Sequence, residues 1–248
     1  MNIIVCLKRV PDTTAKLKPD SLGTSIDPQG VEYIINPYDE FAIEEALQIR
    51  DKQGGEVIGV TLDPEGNETI LRKALAMGID RGVLIQGGNP FDGAATAEIL
   101  ATVLKELNGD LILFGKQAID SDAGGVPAMV AHRLGIPRAS VVTKVELSEG
   151  KLVCHRQIEG GEEIMELPLP CILSAQKGMN EPRYPSLKGI MAAKKKSIEK
   201  REAPSVEAHL EVVRMTPPPE RPAGRIVGEG VDAVPELIRA LQEEAKVI

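Results

Sequence analysis

EVIGVTLDPEGNETILRKALAMG, Glu56 to Gly78, decides the fold class. An apolar run of strand length, EVIGVT from Glu56 to Thr61, passes through the turn formers LDPEG into NETILRKALAM, a helix-like segment that stops at Gly78. Glycine ends helices because it accepts a left-handed backbone that other residues resist. Strand, turn and helix in this order make the repeating unit of a parallel sheet covered by helices.

The same unit recurs on both sides. NIIVCL, Asn2 to Leu7, reads as a buried strand. The helix after it is PYDEFAIEEALQIRDKQ, with Pro37 near its start, Asp39 and Glu40 in the first turn, and Ile43, Ala46, Leu47 and Arg50 on one face. GVLIQ, Gly82 to Gln86, leads to AATAEILATVLKEL. LILFG, Leu111 to Gly115, leads through KQAIDSDAGG to a helix near Val126 to Leu134. The expected fold is α/β, a doubly wound, mostly parallel, Rossmann-like sheet with ligand sites beyond the carboxyl ends of its strands. Gly23 to Asn36 reads as an extended excursion between the first strand and the first helix.

After Pro137 the pattern changes to extended segments, SVVTKVEL, KLVCHRQI, EEIMELPL and CILSA, which predict an antiparallel edge on the same sheet. From Glu181 onward Pro and Lys rise, and only DAVPELIRALQEEAKVI reads as a helix. Residues 1–180 are therefore expected to form a nucleotide-binding α/β domain, and 181–248 a loop and an extended C-terminal arm that wraps a partner.

Composition narrows the function. With 248 residues and 42% hydrophobic content the chain can bury a sizeable core. No apolar run approaches the roughly 18 residues of a membrane span, and MNIIVCLKRVPD is charged too early for a secretory signal. A cytoplasmic protein with no membrane insertion is expected. Cys6, Cys154 and Cys171 are odd in number and form no C-x-x-C, and His132, His155 and His209 are scattered, so reduced thiols and no metal site are expected. A net charge of −8 disfavours nucleic acid as the main partner. Trp is absent and aromatics make up 2%, so an aromatic cofactor must find much of its binding elsewhere.

Catalytic motifs are missing. There is no G-x-S-x-G elbow, Walker A loop, H-E-x-x-H or full G-x-G-x-x-G. Asp120 and Asp122 could pair as carboxylates, but read rather as caps of the next helix. Three loops do fit a nucleotide: Cys6 to Asp12, the turn holding Asn36, and Gln117 through Asp120, Ser121, Asp122, Ala123, Gly124 and Gly125 into a helix at Val126. Backbone amides exposed by glycines at a helix start make an anion site. A plain adenine-nucleotide-binding domain satisfies these features too. What it leaves unexplained is NEPRYPSLKGIMAAKKKSIEK, Asn180 to Lys200, where Leu187 stands between Pro185 and Gly189 and is followed by Lys194, Lys195 and Lys196. A leucine bounded by turn residues is poorly placed to join a core.

LKRVPD, INPYDEFAIEEAL, ALAMGIDRGVLI, LILFGKQAIDSD, the EGG of Glu159 to Gly161, and NEPRYPSL followed by KGIMAAKKK together resemble the β subunit of electron-transferring flavoprotein, to about Lys200. The resemblance implies an adenine nucleotide α-hydrolase-like form of the sheet and an electron carrier rather than a stand-alone enzyme. It implies a heterodimer whose α subunit holds most of an FAD, with electrons arriving from acyl-CoA-type dehydrogenases and leaving to a quinone-linked oxidoreductase. Leu187 matches the family's dehydrogenase-docking leucine, within a partner-binding segment of Tyr184, Pro185, Ser186, Leu187, Lys188, Gly189, Ile190 and Met191. Lys194 to Lys196 would steer partners or simply remain solvated. The family's nucleotide site carries over to Cys6, Asn36, Thr61, Gln117 and Asp120 to Val126. It holds AMP in simple members and a second FAD, fed by NADH, in bifurcating ones.

Three departures bear on that choice. Pro127, after Gly124, Gly125 and Val126, lacks the N–H that a phosphate would use. Thr13, near the α subunit's FAD, stands where some relatives have tyrosine, and in this the chain looks more like the bifurcating and nitrogen-fixation-associated branch. Gln157 replaces an acidic residue ahead of the EGG segment. The reading favoured is the single-FAD carrier, with bifurcation as the alternative.

Overall fold

The computed structural model describes residues 1–89, 91–148, 150–220 and 223–248. Along the chain run β1 (Asn2–Leu7), β2 (Arg9–Pro11), β3 (Tyr33–Ile35), α1 (Pro37–Gln53), β4 (Glu56–Asp63), α2 (Thr69–Met77), β5 (Arg81–Gln86) and α3 (Gly93–Leu107). There follow β6 (Leu111–Gly115), α4 (Val126–Leu134), β7 (Arg138–Ser148), β8 (Lys151–Ile158), β9 (Gly161–Pro168), β10 (Cys171–Ala175), α5 (Leu187–Ala193), β11 (Ile198–Glu202) and α6 (Val234–Arg239).

One sheet orders its strands β11-β5-β4-β1-β6-β10-β7-β8-β9. All neighbours from β11 to β7 are parallel, and only β7, β8 and β9 run antiparallel. The α/β, mostly parallel fold with an antiparallel edge is therefore present. CILSA is the exception within that edge: as β10 it inserts between β6 and β7 in parallel register. The physical reason is its burial on both faces, since all five residues are buried, as a central parallel strand requires.

Alternation along β1 shows how the core is built. Ile3, Val5 and Leu7 face one apolar layer with residues of α1 and α2. Ile4 and Cys6 face the other, with residues of α3 and α4. Burying both faces at about 25 cal/mol per Å² of apolar surface is what offsets the entropy of ordering so long a sheet.

The excursion after β1 is a small hairpin, β2 against β3, with Arg9 opposite Ile35 and Pro11 opposite Tyr33. Beyond Glu181 regular structure continues further than the composition predicts, because α5 packs on α2 and β11 joins the sheet edge beside β5. Met1–Met215 form one compact unit and Thr216–Ile248 another. In the second unit a 3₁₀ turn at Val231–Ala233 leads into α6 and then a π-helical stretch at Ala240–Ala245. Among the described residues no helix is long and apolar enough to cross a membrane.

Candidate functional site

The chain winds away from β1 in both directions, through β4 to β5 on one side and through β6 to β10 on the other. Such a switch point leaves a crevice beyond the carboxyl ends of β1 and β6. A cleft of about 1340 Å³ opens there. Three walls are the expected loops: Cys6 to Arg9, Asn36, and the stretch Gln117 to Val126. Two further walls, around Ser25 and from Ala208 to Val212, come from segments that carry no such signal.

Several expected site residues meet at this cleft, but most of their side chains serve the protein. Asn36 is buried, and its Nδ2 donates to Asp39 Oδ1 at 2.8 Å and to the Gln117 carbonyl at 2.9 Å. Its Oδ1 accepts from the Ile119 amide at 3.2 Å. Asn36 is thus a joint between α1 and the loop after β6. Gln117 Nε2 donates to Asp122 Oδ1 at 2.7 Å, and Asp120 pairs with Lys8 Nζ at 2.7 Å. Neither aspartate caps α4, whose N-cap is Gly125 with no side-chain bond; both are drawn off by these partners instead.

Cys6, Ser121, Ala123, Gly124 and Val126 also line the cleft. Burial first, and the charge of Asp39 second, push the Cys6 thiol well above its ordinary range. It is an inert wall rather than a nucleophile. Thr61, Thr13, Asp122 and Gly125 do not line the cleft. Thr61 is fully buried, and its Oγ1 donates to the Leu7 carbonyl at 2.9 Å, tying β4 to the end of β1. Thr13 is exposed in the turn after β2.

The fit to an anion rests on backbone. Among the described residues the amides of Ala123, Gly124 and Gly125 have no acceptor, and they gather at the positive end of α4. Pro127 lies in the first turn of that helix, where an N–H has no partner within the helix, so the proline removes one of the donors at that end. The other side of the cleft is charged: Arg9 Nε meets Asp63 Oδ2 at 2.6 Å, its Nη2 meets Glu65 Oε2 at 2.9 Å, and its guanidinium lies 4.3 Å over the ring of Tyr33.

Two carboxylates carry more of the site than the sequence suggests. Asp39, expected only to favour a helix start, is buried and accepts from the amides of Lys8 and Gly115 at 2.7 and 3.1 Å. Burial raises its carboxyl to about 7 despite those bonds. Asp92 caps α3 by accepting from the Ala95 amide at 2.9 Å, and its other oxygen accepts from His209 and Leu210 at 2.6 and 3.0 Å. These bonds, that of Ala95 first, hold its carboxyl below the ordinary range and fasten the Ala208–Val212 wall. An aspartate before GAATAEIL is a readable cap signal; its grip on a segment more than a hundred residues away is not.

A second surface lies around α5. Tyr184 is 94% exposed, Leu187 84% and Met191 64%. Pro185, Ser186 and Lys188 are also exposed, Ile190 is at 43%, and Gly189 is half-buried. Ser186 caps α5 by accepting from the Gly189 amide at 3.0 Å. A methyl group on Gly189 would run into the Ala76 carbonyl oxygen, so glycine lets α5 lie against the end of α2. Lys194 and Lys195 are exposed. Lys196 departs from the expected solvated run: its Nζ donates to the carbonyls of Leu75 and Ile79, closing the end of α2.

Known proteins share this chain's sequence over nearly all its length. Residues 24–206 match the family model described as Electron transfer flavoprotein domain. "Electron transfer flavoprotein subunit beta" of Bacillus subtilis (strain 168) is 40% identical over 259 residues, covering 100% of both chains. The protein of that name from Syntrophomonas wolfei is 40% identical over 225 residues, covering 90% of this chain and 88% of its own. "Electron transfer flavoprotein subunit beta, mitochondrial" of Arabidopsis thaliana is 38% identical over 257 residues, covering 100% of both. On this evidence the chain belongs to the electron transfer flavoprotein β-subunit family.

Proposed function

We propose that this chain is the β subunit of a heterodimeric electron carrier that takes electrons from acyl-CoA-type dehydrogenases and passes them to a quinone-linked oxidoreductase. Family membership gives the electron-transfer role and the association with flavin. FAD, held mainly by the α subunit, supplies the redox chemistry. What this chain contributes is a wall near that flavin at Thr13, a nucleotide seat beyond β1 and β6, an arm for the α subunit, and a docking loop.

The observation that carries the proposal is the exposure of Leu187 at the head of α5, with Tyr184 and Met191 exposed nearby. A soluble domain gains nothing by holding these apolar side chains in water, whereas a partner's pocket would gain by burying them. Few apolar anchors and a small contact suit short-lived redox encounters. In the cleft, the free amides of Ala123 and Gly124 would receive a phosphate, and AMP is the ligand proposed.

One observation favours the bifurcating alternative. At about 1340 Å³ the cleft exceeds the range of roughly 300–1,000 Å³ usual for small-molecule sites, leaving room for a dinucleotide such as a second FAD.

The test is spectroscopic. Expressed alone the chain should show no visible flavin band, and co-expressed with its α partner it should form a yellow complex that an acyl-CoA dehydrogenase reduces. A chain that binds stoichiometric FAD by itself, or a complex that accepts electrons from no such dehydrogenase, would contradict the proposal.

A further inference from the structure

The exposed segment around Leu187 stands on a frame of ion pairs. Glu44 of α1 is only 4% exposed, and a buried carboxylate is rare unless it is paired. Its partner is Arg183, just before the exposed segment. Arg183 Nε donates to Glu44 Oε2 at 2.7 Å, Nη2 donates to Oε1 at 3.0 Å, and the Arg183 amide donates to Oε2 at 3.1 Å. Gln48 Nε2 adds a bond to Oε1 at 3.0 Å, completing the carboxylate's shell. Such a two-pronged pair fixes orientation as well as distance.

Neighbouring bonds extend the frame. Asn180 Nδ2 donates to Glu45 Oε2 at 3.0 Å and to the Phe41 carbonyl at 3.1 Å. At the other end, Arg72 Nη1 of α2 donates to the carbonyls of Ala193 and Lys196 at 2.9 and 2.8 Å. The segment is therefore held by α1 where it begins and by α2 where it ends.

Between these clamps the large apolar side chains point into solvent, so the frame does not serve their burial. It serves their geometry. A surface segment bearing Pro185 and Gly189 would otherwise lose freedom on meeting a partner, and fixing it beforehand removes that entropic cost from binding.

We propose that Glu44 is a positioning residue for dehydrogenase docking: its ion pair with Arg183 sets the Tyr184–Met191 segment in its binding conformation. The inference rests on the docking role proposed above for Leu187. Glu44 is suited to testing it because so buried a residue offers a partner almost no surface, and three of the four hydrogen bonds its carboxylate accepts come from Arg183.

The experiment uses the αβ heterodimer as electron acceptor for an acyl-CoA dehydrogenase, comparing Glu44→Gln, Leu187→Ala and the double variant. Amide exchange is followed over the loop. Glu44→Gln should raise the KM for the heterodimer about tenfold, leave kcat and flavin content unchanged, and speed exchange across 184–191. The double variant should be no worse than Leu187→Ala, since both changes remove the same presented anchor. Faster exchange with an unchanged KM, while Leu187→Ala still raises it, would overturn the positioning role and leave the docking reading standing. An unchanged KM for Leu187→Ala would overturn both. Should Glu44→Gln not fold, Arg183→Lys keeps the charge but loses the fork, and a smaller rise in KM is expected; no rise would overturn the inference.

Discussion

The amide of Gly115, at the end of β6, donates to Asp39 Oδ1 in the first turn of α1 at 3.1 Å. The other oxygen of Asp39 accepts from the Lys8 amide just past β1. One buried carboxylate thus joins the two strands that diverge at the switch point to the helix that covers them, and so sets the floor of the cleft.

This junction makes stability depend on pH. Burial raises the Asp39 carboxyl from its ordinary 3.8 to about 7, so between those values the folded chain keeps a proton that the unfolded chain has released. Stability from this group is therefore fully present below about pH 4 and declines as pH rises to about 7. Urea unfolding across that window should show the stability of the wild type falling toward that of Asp39→Asn as pH rises. Parallel curves for the two proteins would show that Asp39 does not titrate in this way.

Gly115 leaves no room for a side chain, because a methyl there would strike Asp39 Oδ1 and the Cβ of Tyr38. Gly115→Ala should cost about 1–3 kcal/mol of overpacking, read from the denaturation midpoint, with loss of any nucleotide held in the cleft. A variant of wild-type stability would mean that α1 can shift away at little cost.

The parallel core was legible because it writes itself in local pattern. β1 and β6 coincide with the apolar runs Asn2–Leu7 and Leu111–Gly115, and α4 with the predicted Val126–Leu134. Less legible was whatever depends on distant partners. β10 looks like any short apolar strand, and only the sheet order assigns it a parallel place. β11, with the sequence IEKRE, is an exposed edge strand with little hydrophobic signal. In the cleft, Asn36 and Gln117 were readable as members of converging loops, but not as residues whose side chains bind the protein itself. The bonds of Asp39 to Lys8 and Gly115, of Asp92 to His209 and Leu210, and of Lys196 to Leu75 and Ile79 join groups far apart along the chain, which no short motif encodes.

Asp92 holds the wall at Ala208–Val212 through the amides of His209 and Leu210. Asp92→Ala should cost about 1 kcal/mol from the lost helix cap alone. Hydrogen exchange at His209 and Leu210 should accelerate with it. Unchanged protection there would show that other contacts keep the segment in place.

Leu187→Ala should weaken electron transfer from the dehydrogenase by about 2 kcal/mol, roughly 30-fold in kcat/KM, if the leucine is an interface hot spot. Flavin content should not change, since the FAD is proposed to be held mainly by the α subunit and Leu187 is exposed on α5. Equal rates for variant and wild type would remove the anchor assignment.

A carrier with one flavin is tested most directly by the nucleotide content of the αβ heterodimer. Nucleotides released by denaturation and resolved by chromatography should give one FAD per heterodimer, with AMP as the occupant proposed for the cleft of this subunit. Two FAD per heterodimer would contradict the account and make this chain half of a bifurcating enzyme.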